Sequence, residues 1–199
     1  MLDDLDRTLE EMLKRELPPA LREQVSISFA TPGDEFPPGA VTLPAIDLFL
    51  YDVRENRELR SNEWLLERRS DGTAVKKGPP VRIDCSYLIT AWASQSSTSP
   101  AQDEHRLVGE VMKVLLRHPT IPPGVLQGSL EGQEPPLPST ALQSSLLQSV
   151  GEFWQALGGK PKAALNYTVT IGIEVHEPEQ VRVVTDKVLK FRVEKEITP

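Results

Sequence analysis

The stretch VGEFWQALGGKPKAALNYTVTIGIEV, residues 150–175, constrains the fold most, because it dictates two elements and the stop between them. Val150, Phe153, Trp154 and Leu157 stand at i, i+3, i+4 and i+7, so a helix gathers them on one apolar face. Gly158-Gly159 then supplies a residue that can turn left-handed at a helix C-terminus. Beyond it Leu165, Tyr167, Val169, Ile171 and Ile173 alternate with Asn166, Thr168, Thr170, Gly172 and Glu174. That is the period of a strand with one buried face and one more polar face. A bulky aromatic helix end is therefore predicted to dock beside a sheet strand.

The remaining periodic segments supply the partners. Leu2, Leu5, Leu9, Met12, Leu13 and Leu17 repeat at helical spacing, acidic residues crowd the first turn, and Pro18-Pro19 close this first helix. Val25, Ile27 and Phe29 predict a short strand. Ala45–Val53 predicts a second, with Ile46, Leu48 and Leu50 on one face, Asp47, Phe49 and Tyr51 on the other, and both faces covered. Asp71-Gly72 offers the turn of an exposed hairpin from about Trp64 to Lys77, and Val81–Ala93 alternates cleanly enough to be a long or central strand. Ser99 as N-cap, Pro100 at the first helical position and Gln102 at the capping-box position start a second helix. Its apolar stripe is Leu107, Val108, Val111, Met112, Leu115 and Leu116, and it ends at His118-Pro119. Thr120–Pro138 reads as loop with an extended piece between Val125 and Leu130, after which Leu142, Leu146, Leu147 and Val150 predict a third helix beginning at Ser139. Of the 18 prolines, those clustered at 32–44, 79–80, 119–123 and 135–138 punctuate these segments and mark the loops. The sum is an α+β single domain over residues 1–177.

Residues 178–199 form a strand-prone extension, with Val181, Val183, Leu189, Phe191 and Val193 interleaved with Arg and Lys. Such an arm either adds an edge to the same sheet or pairs with a different molecule. The net charge of −7 argues against a general nucleic-acid binder, which needs a basic face to displace counterions. Yet Arg54–Arg82 holds eight basic residues against five acidic ones, and Arg68 and Arg69 within it are candidate contacts for a charge-complementary protein. Of the three tryptophans, Trp154 belongs to the helix's apolar face, whereas Trp92 lies on the more polar face of its strand and is a second candidate contact. Cys85 stands alone, which excludes a disulfide framework and suits a reducing compartment. The acidic start MLDDLDRTLEEM is unlike a secretion signal, and no run approaches the roughly 20 apolar residues of a membrane span, so a soluble, cytoplasmically made protein is expected.

Motifs for chemistry are missing. The chain has no G-x-S-x-G, no Gly-rich phosphate loop, no H-E-x-x-H and no paired cysteines. His105, His118 and His176 lack metal-ligand spacing, and Asp103-Glu104-His105 are consecutive helix positions that point in different directions. Asn166-Tyr167-Thr168 matches a glycosylation sequon but falls within a strand. The expectation is a protein without catalytic residues, cofactor or metal.

Four segments in this order resemble the tail-terminator, or cap, proteins of phage-tail-like contractile injection systems, typified by the antifeeding prophage and the virulence-cassette particles. They are the acidic N-terminal helix, LPAIDLFLYDV (43–53), PPVRIDCSYLITAWA (79–93) leading into DEHRLVGEVMKVLL (103–116), and EFWQALGGKPKAALNYTVTIGIEV (152–175). The resemblance covers residues 1–177 and implies a mixed, mostly antiparallel β-sheet flanked by about three helices. It further implies a ring-forming homo-oligomer, expected to be a hexamer, seated on the baseplate-distal end of the inner tube protein and the sheath protein. Such a cap ends tube polymerisation and holds the last sheath layer. The C-terminal strand arm cannot be matched residue by residue; its contact with sheath or a neighbouring cap is an expectation from its strand pattern. An adaptor or baseplate component of the same particle is the competing expectation, followed by an enzyme with an unrecognised site.

Overall fold

The computed structural model describes residues 1–33, 37–38, 41–71, 73–133, 136–142 and 150–182. The chain divides into two compact units, Met1–Arg60 with Val81–Ile173, and Ser61–Pro80 with Glu174–Pro199.

The first unit is built on a five-stranded sheet whose spatial order is β1 (Ser26–Ser28), β2 (Ala45–Glu55), β5 (Val81–Trp92), β7 (Ala164–Ile173) and β6 (Ser139–Ala141). β1 runs parallel to β2 and every other neighbouring pair is antiparallel, so the sheet is mixed and mostly antiparallel, as the sequence led us to expect. Register sets the core. Leu48 faces Ile89, Ile89 faces Leu165 and Tyr87 faces Tyr167, so the apolar sides of three long strands coincide on one face.

Helices α1 (Leu2–Glu16) and α3 (Pro100–Arg117) cover that face with Leu5, Leu9, Met12 and Leu13 from α1 and Leu107, Val111, Val114 and Leu115 from α3. Each fully buried leucine contributes about 1.5–3 kcal/mol. Leu116, expected in the stripe, is 55% exposed, because the next residue on a helix is turned about 100° away and Val114 takes the inward place. Tyr87 carries its hydroxyl through this core to donate to Asp6 Oδ1 at 2.8 Å.

The sheet's other face receives α4 (Val150–Ala156), where Phe153 packs its ring 6.3 Å from Phe49 and 6.1 Å from Tyr51, and Trp154 is buried. The helix ends as its glycines predict. Gly158 has φ 71°, its N–H bonds to the Gln155 carbonyl, and Gly159 bonds to the Trp154 carbonyl, the paired pattern of a Schellman cap.

Several expectations are corrected. The third helix does not begin at Ser139: Ser139–Ala141 is strand β6 against β7, and Leu142 at φ 61° breaks any helical continuation. Leu146 and Leu147 lie outside the described residues. In place of an extended piece near Val125, two 3-10 turns form at Pro123–Val125 and Gly128–Leu130. Polar residues on α1 hold this loop, Thr8 Oγ1 accepting from Gln127 N–H at 3.0 Å and Asp4 Oδ2 from Ser129 N–H at 3.1 Å. Ser99 is the N-cap of α3 but makes no side-chain cap bond; Ser97 instead donates its hydroxyl to Asp103 at 2.6 Å. A short helix α2 (Pro19–Arg22) follows α1, where the sequence shows only a proline stop. The register shift between Leu50 and Asp52 is a β-bulge that leaves Val53 and Arg54 exposed, so β2 is covered on both faces only near its start.

The outer edge of β7 beyond β6 is closed by a side chain. Gln133 donates its amide to the Gly172 carbonyl at 2.8 Å and accepts from Gly172 N–H at 3.1 Å, standing in for one residue of a strand.

The second unit contains an antiparallel sheet in the order β3 (Leu65–Arg68), β4 (Thr73–Lys77) and β8 (Glu179–Arg182). The predicted hairpin is present and β3 is exposed throughout. β4 is not: Ala74 and Val75 are buried, because β4 is the central strand. Val181 faces Ala74, so the start of the C-terminal extension pairs with the chain's own hairpin. Val183, Leu189, Phe191 and Val193 lie outside the described residues.

Candidate assembly surfaces

Most of the residues weighed for chemistry in the first unit are occupied structurally. Glu104 accepts from the Lys162 ammonium at 2.7 Å and from Ala93 N–H, whereas Asp103 accepts from Ser97 and His105 is exposed, so the three neighbours diverge. Lys162 also lies 3.7 Å from the centre of the Trp92 ring, and the Trp92 indole N–H donates to Thr90 Oγ1 at 3.0 Å. Trp92 is thus half-buried within a clasp joining the loop before β7 to the start of α3. His118 Nε2 stands 3.3 Å from Glu16, whose carboxyl is held below its ordinary range by His118 first and Arg117 second. The Cys85 thiol is buried, and burial, followed by the neighbouring Asp84 charge, pushes its pKa up to about 11. Among the described residues no group of His, Cys, Asp and Glu could hold a metal ion.

Two carboxylates on α1 and β2 contrast sharply. Asp4 accepts from Ser129 Oγ at 2.6 Å and Ser129 N–H at 3.1 Å, with Arg7 and the N-terminal ammonium also on it; hydrogen bonds, those of Ser129 foremost, hold its pKa far down. Asp47 is fully buried, and desolvation raises its pKa to about 7 although Ser28 and the Ala30 N–H, at 3.1 Å, oppose the rise. Its Oδ2 has no hydrogen-bond partner among the described residues. That environment suits a protonated carboxyl.

The second unit offers the exposed surface. Arg68 and Arg69 both face solvent, and the charge of Arg69 contributes to holding the Asp71 carboxyl down, after the Thr73 hydrogen bonds. Beside them is a cluster the sequence reading did not find: the Trp64 ring lies 5.2 Å from His176, and the Lys76 ammonium is 4.3 Å from the ring centre. Gly78 packs so closely on His176 that a Cβ there would stand 2.6 Å from the imidazole. The available signal was Trp64-Leu65-Leu66, three large apolar residues in a row, which fit no alternation with a buried side. Among the candidate contacts, Arg68, Arg69 and Val181 belong to this unit and Trp92 to the first.

Residues 4–185 match the protein family described as the Pvc16 N-terminal domain. Among solved structures, the cryo-EM structure of the PVC sheath/tube terminator of an extracellular contractile injection system, in its extended state, matches with a TM-score of 0.72 at 24% identity. That match covers 100% of this chain and 65% of the other. The cryo-EM structure of the anti-feeding prophage cap, a tube terminating cap, matches with a TM-score of 0.61 at 24% identity, over 97% of this chain and 62% of that one. The chain therefore spans just under two thirds of the length of either relative, and the likeness establishes a shared fold. No curated protein sequence matches.

Proposed function

The chain belongs to the Pvc16 N-terminal domain family, and from that premise we propose that it is a structural cap that terminates the tube of a phage-tail-like contractile injection system. The observation that carries this reading is the fold match over essentially the whole chain to a sheath/tube terminator and to a tube terminating cap. The cap assembles from copies of itself into a ring, expected to be six-fold, on the baseplate-distal end of tube and sheath. It ends tube polymerisation, anchors the last sheath layer and catalyses no reaction. Assembly takes place in the cytoplasm before the particle is released or anchored; among the described residues no helix is long and apolar enough to cross a membrane. Residues 1–177 serve as the terminator body, and the extension after Pro178, whose start pairs with the chain's own hairpin, contacts neighbouring subunits through its remainder.

The direct test adds the purified, gold-tagged protein to growing inner-tube polymers. Label at one end only, with growth arrested there, is expected. Label along the tube wall, or growth that continues past labelled ends, contradicts the cap assignment.

A further inference from the structure

Strand β3 has no buried residue, yet it carries Leu65 at 58% and Leu66 at 47% exposure, preceded by Trp64 at 42%. Edge strands of folded proteins are ordinarily blunted, because their free N–H and C=O groups recruit other strands. The phase of the hairpin shows which groups are free. Arg69 N–H donates to the Thr73 carbonyl at 2.8 Å, which marks these two as a hydrogen-bonded pair. Alternation along the register then makes Glu67/Val75 and Leu65/Lys77 bonded pairs and turns the main-chain groups of Leu66 and Arg68 away from β4. Among the described residues no strand lies beyond them.

Side chains add a charge preference. Glu67, the one acid on β3, is engaged by Lys77 at 3.1 Å. The charge beside the free edge is that of Arg68, on the same face as Leu66 and Trp64, with Arg69 following it on the other face, where its field also reaches Asp71.

We propose that β3 accepts an extended, acidic segment of another protein subunit as a fourth strand, giving the order partner, β3, β4, β8. Main-chain bonds to Leu66 and Arg68 hold the segment, Leu66 and Trp64 cover its apolar side chains, and Arg68 and Arg69 select its carboxylates. This deepens the cap reading by stating how a neighbour is gripped, and its test does not depend on that reading.

The probe is a blocked peptide of about eight residues alternating valine and glutamate, with a valine–lysine counterpart as control. Each is titrated onto the full chain while amide exchange is followed by NMR. The expected result is exchange slowed roughly tenfold or more at Leu66 and Arg68 by the glutamate peptide alone. The slowing at Arg68 is lost in Leu66→Pro, which removes an outward donor and no hairpin bond, and the slowing at both positions is lost in Arg68→Glu/Arg69→Glu, which leaves the backbone unchanged. Exchange that is unaffected at saturating peptide, or an equal response to both peptides, overturns the proposal whatever the protein does in a particle.

Discussion

Gly128 and Gly132 share a left-handed backbone, at φ 56° and 71°, but not their surroundings. A Cβ at Gly132 meets nothing within 4 Å, whereas one at Gly128 would run into the Asp4 carboxylate. Gly132→Ala is expected to cost about 1–2 kcal/mol from backbone strain alone. Gly128→Ala is expected to cost more, about 3 kcal/mol, since it also displaces the carboxylate that holds Ser129. Urea unfolding of the two variants separates the terms; equal losses would mean that the Asp4 contact is unimportant. Asp47 gives a pH dependence with a definite sign. Its folded pKa of about 7 lies above the ordinary value of 3.8, so the folded state holds the extra proton between them. The contribution is complete below pH 3.8 and is lost as pH rises through about 7, with a slope of at most about 1.4 kcal/mol per pH unit. Stability measured from pH 5 to 8 should fall for the native chain relative to Asp47→Asn, and parallel curves would show that Asp47 does not titrate there.

Among the elements, those whose own side chains decide their burial were legible. α1, α3, β5 and β7 carry complete apolar faces at one period, and the Gly158 stop needs only a left-handed residue. The elements missed depend on partners distant in sequence. Ser139–Ala141 has no alternation of its own and becomes a strand because β7 presents an edge to it. The loop around Gly128 is shaped by Asp4 and Thr8, polar residues that look like ordinary solvent positions on a helix. For the candidate site, the charge of the hairpin could be read in advance, but its free edge could not, because hydrogen-bond phase appears only once strands are paired. The same phase yields a test of β8. Val75 bonds toward β3, whereas Ala74 and Lys76 turn their main-chain groups toward β8. Deleting residues 179–199 is expected to strip amide-exchange protection from Ala74 and Lys76 and to leave Val75 protected. Protection retained at all three would mean that β8 does not cover that edge in solution.

At the scale of the molecule, the chain concentrates its work in packing. Its polar groups brace helices, loops and sheet edges, as Asp4, Glu104 and Gln133 do, and three of its exposed apolar residues, Trp64, Leu65 and Leu66, stand in a row on one hairpin. The central claim is termination, and its consequence is particle length. We would image negatively stained particles from cells that make this protein and from cells that lack it, and score tail length. Uniform tails with the protein and long, irregular ones without it are expected; intact particles of unchanged length in its absence would contradict the cap assignment.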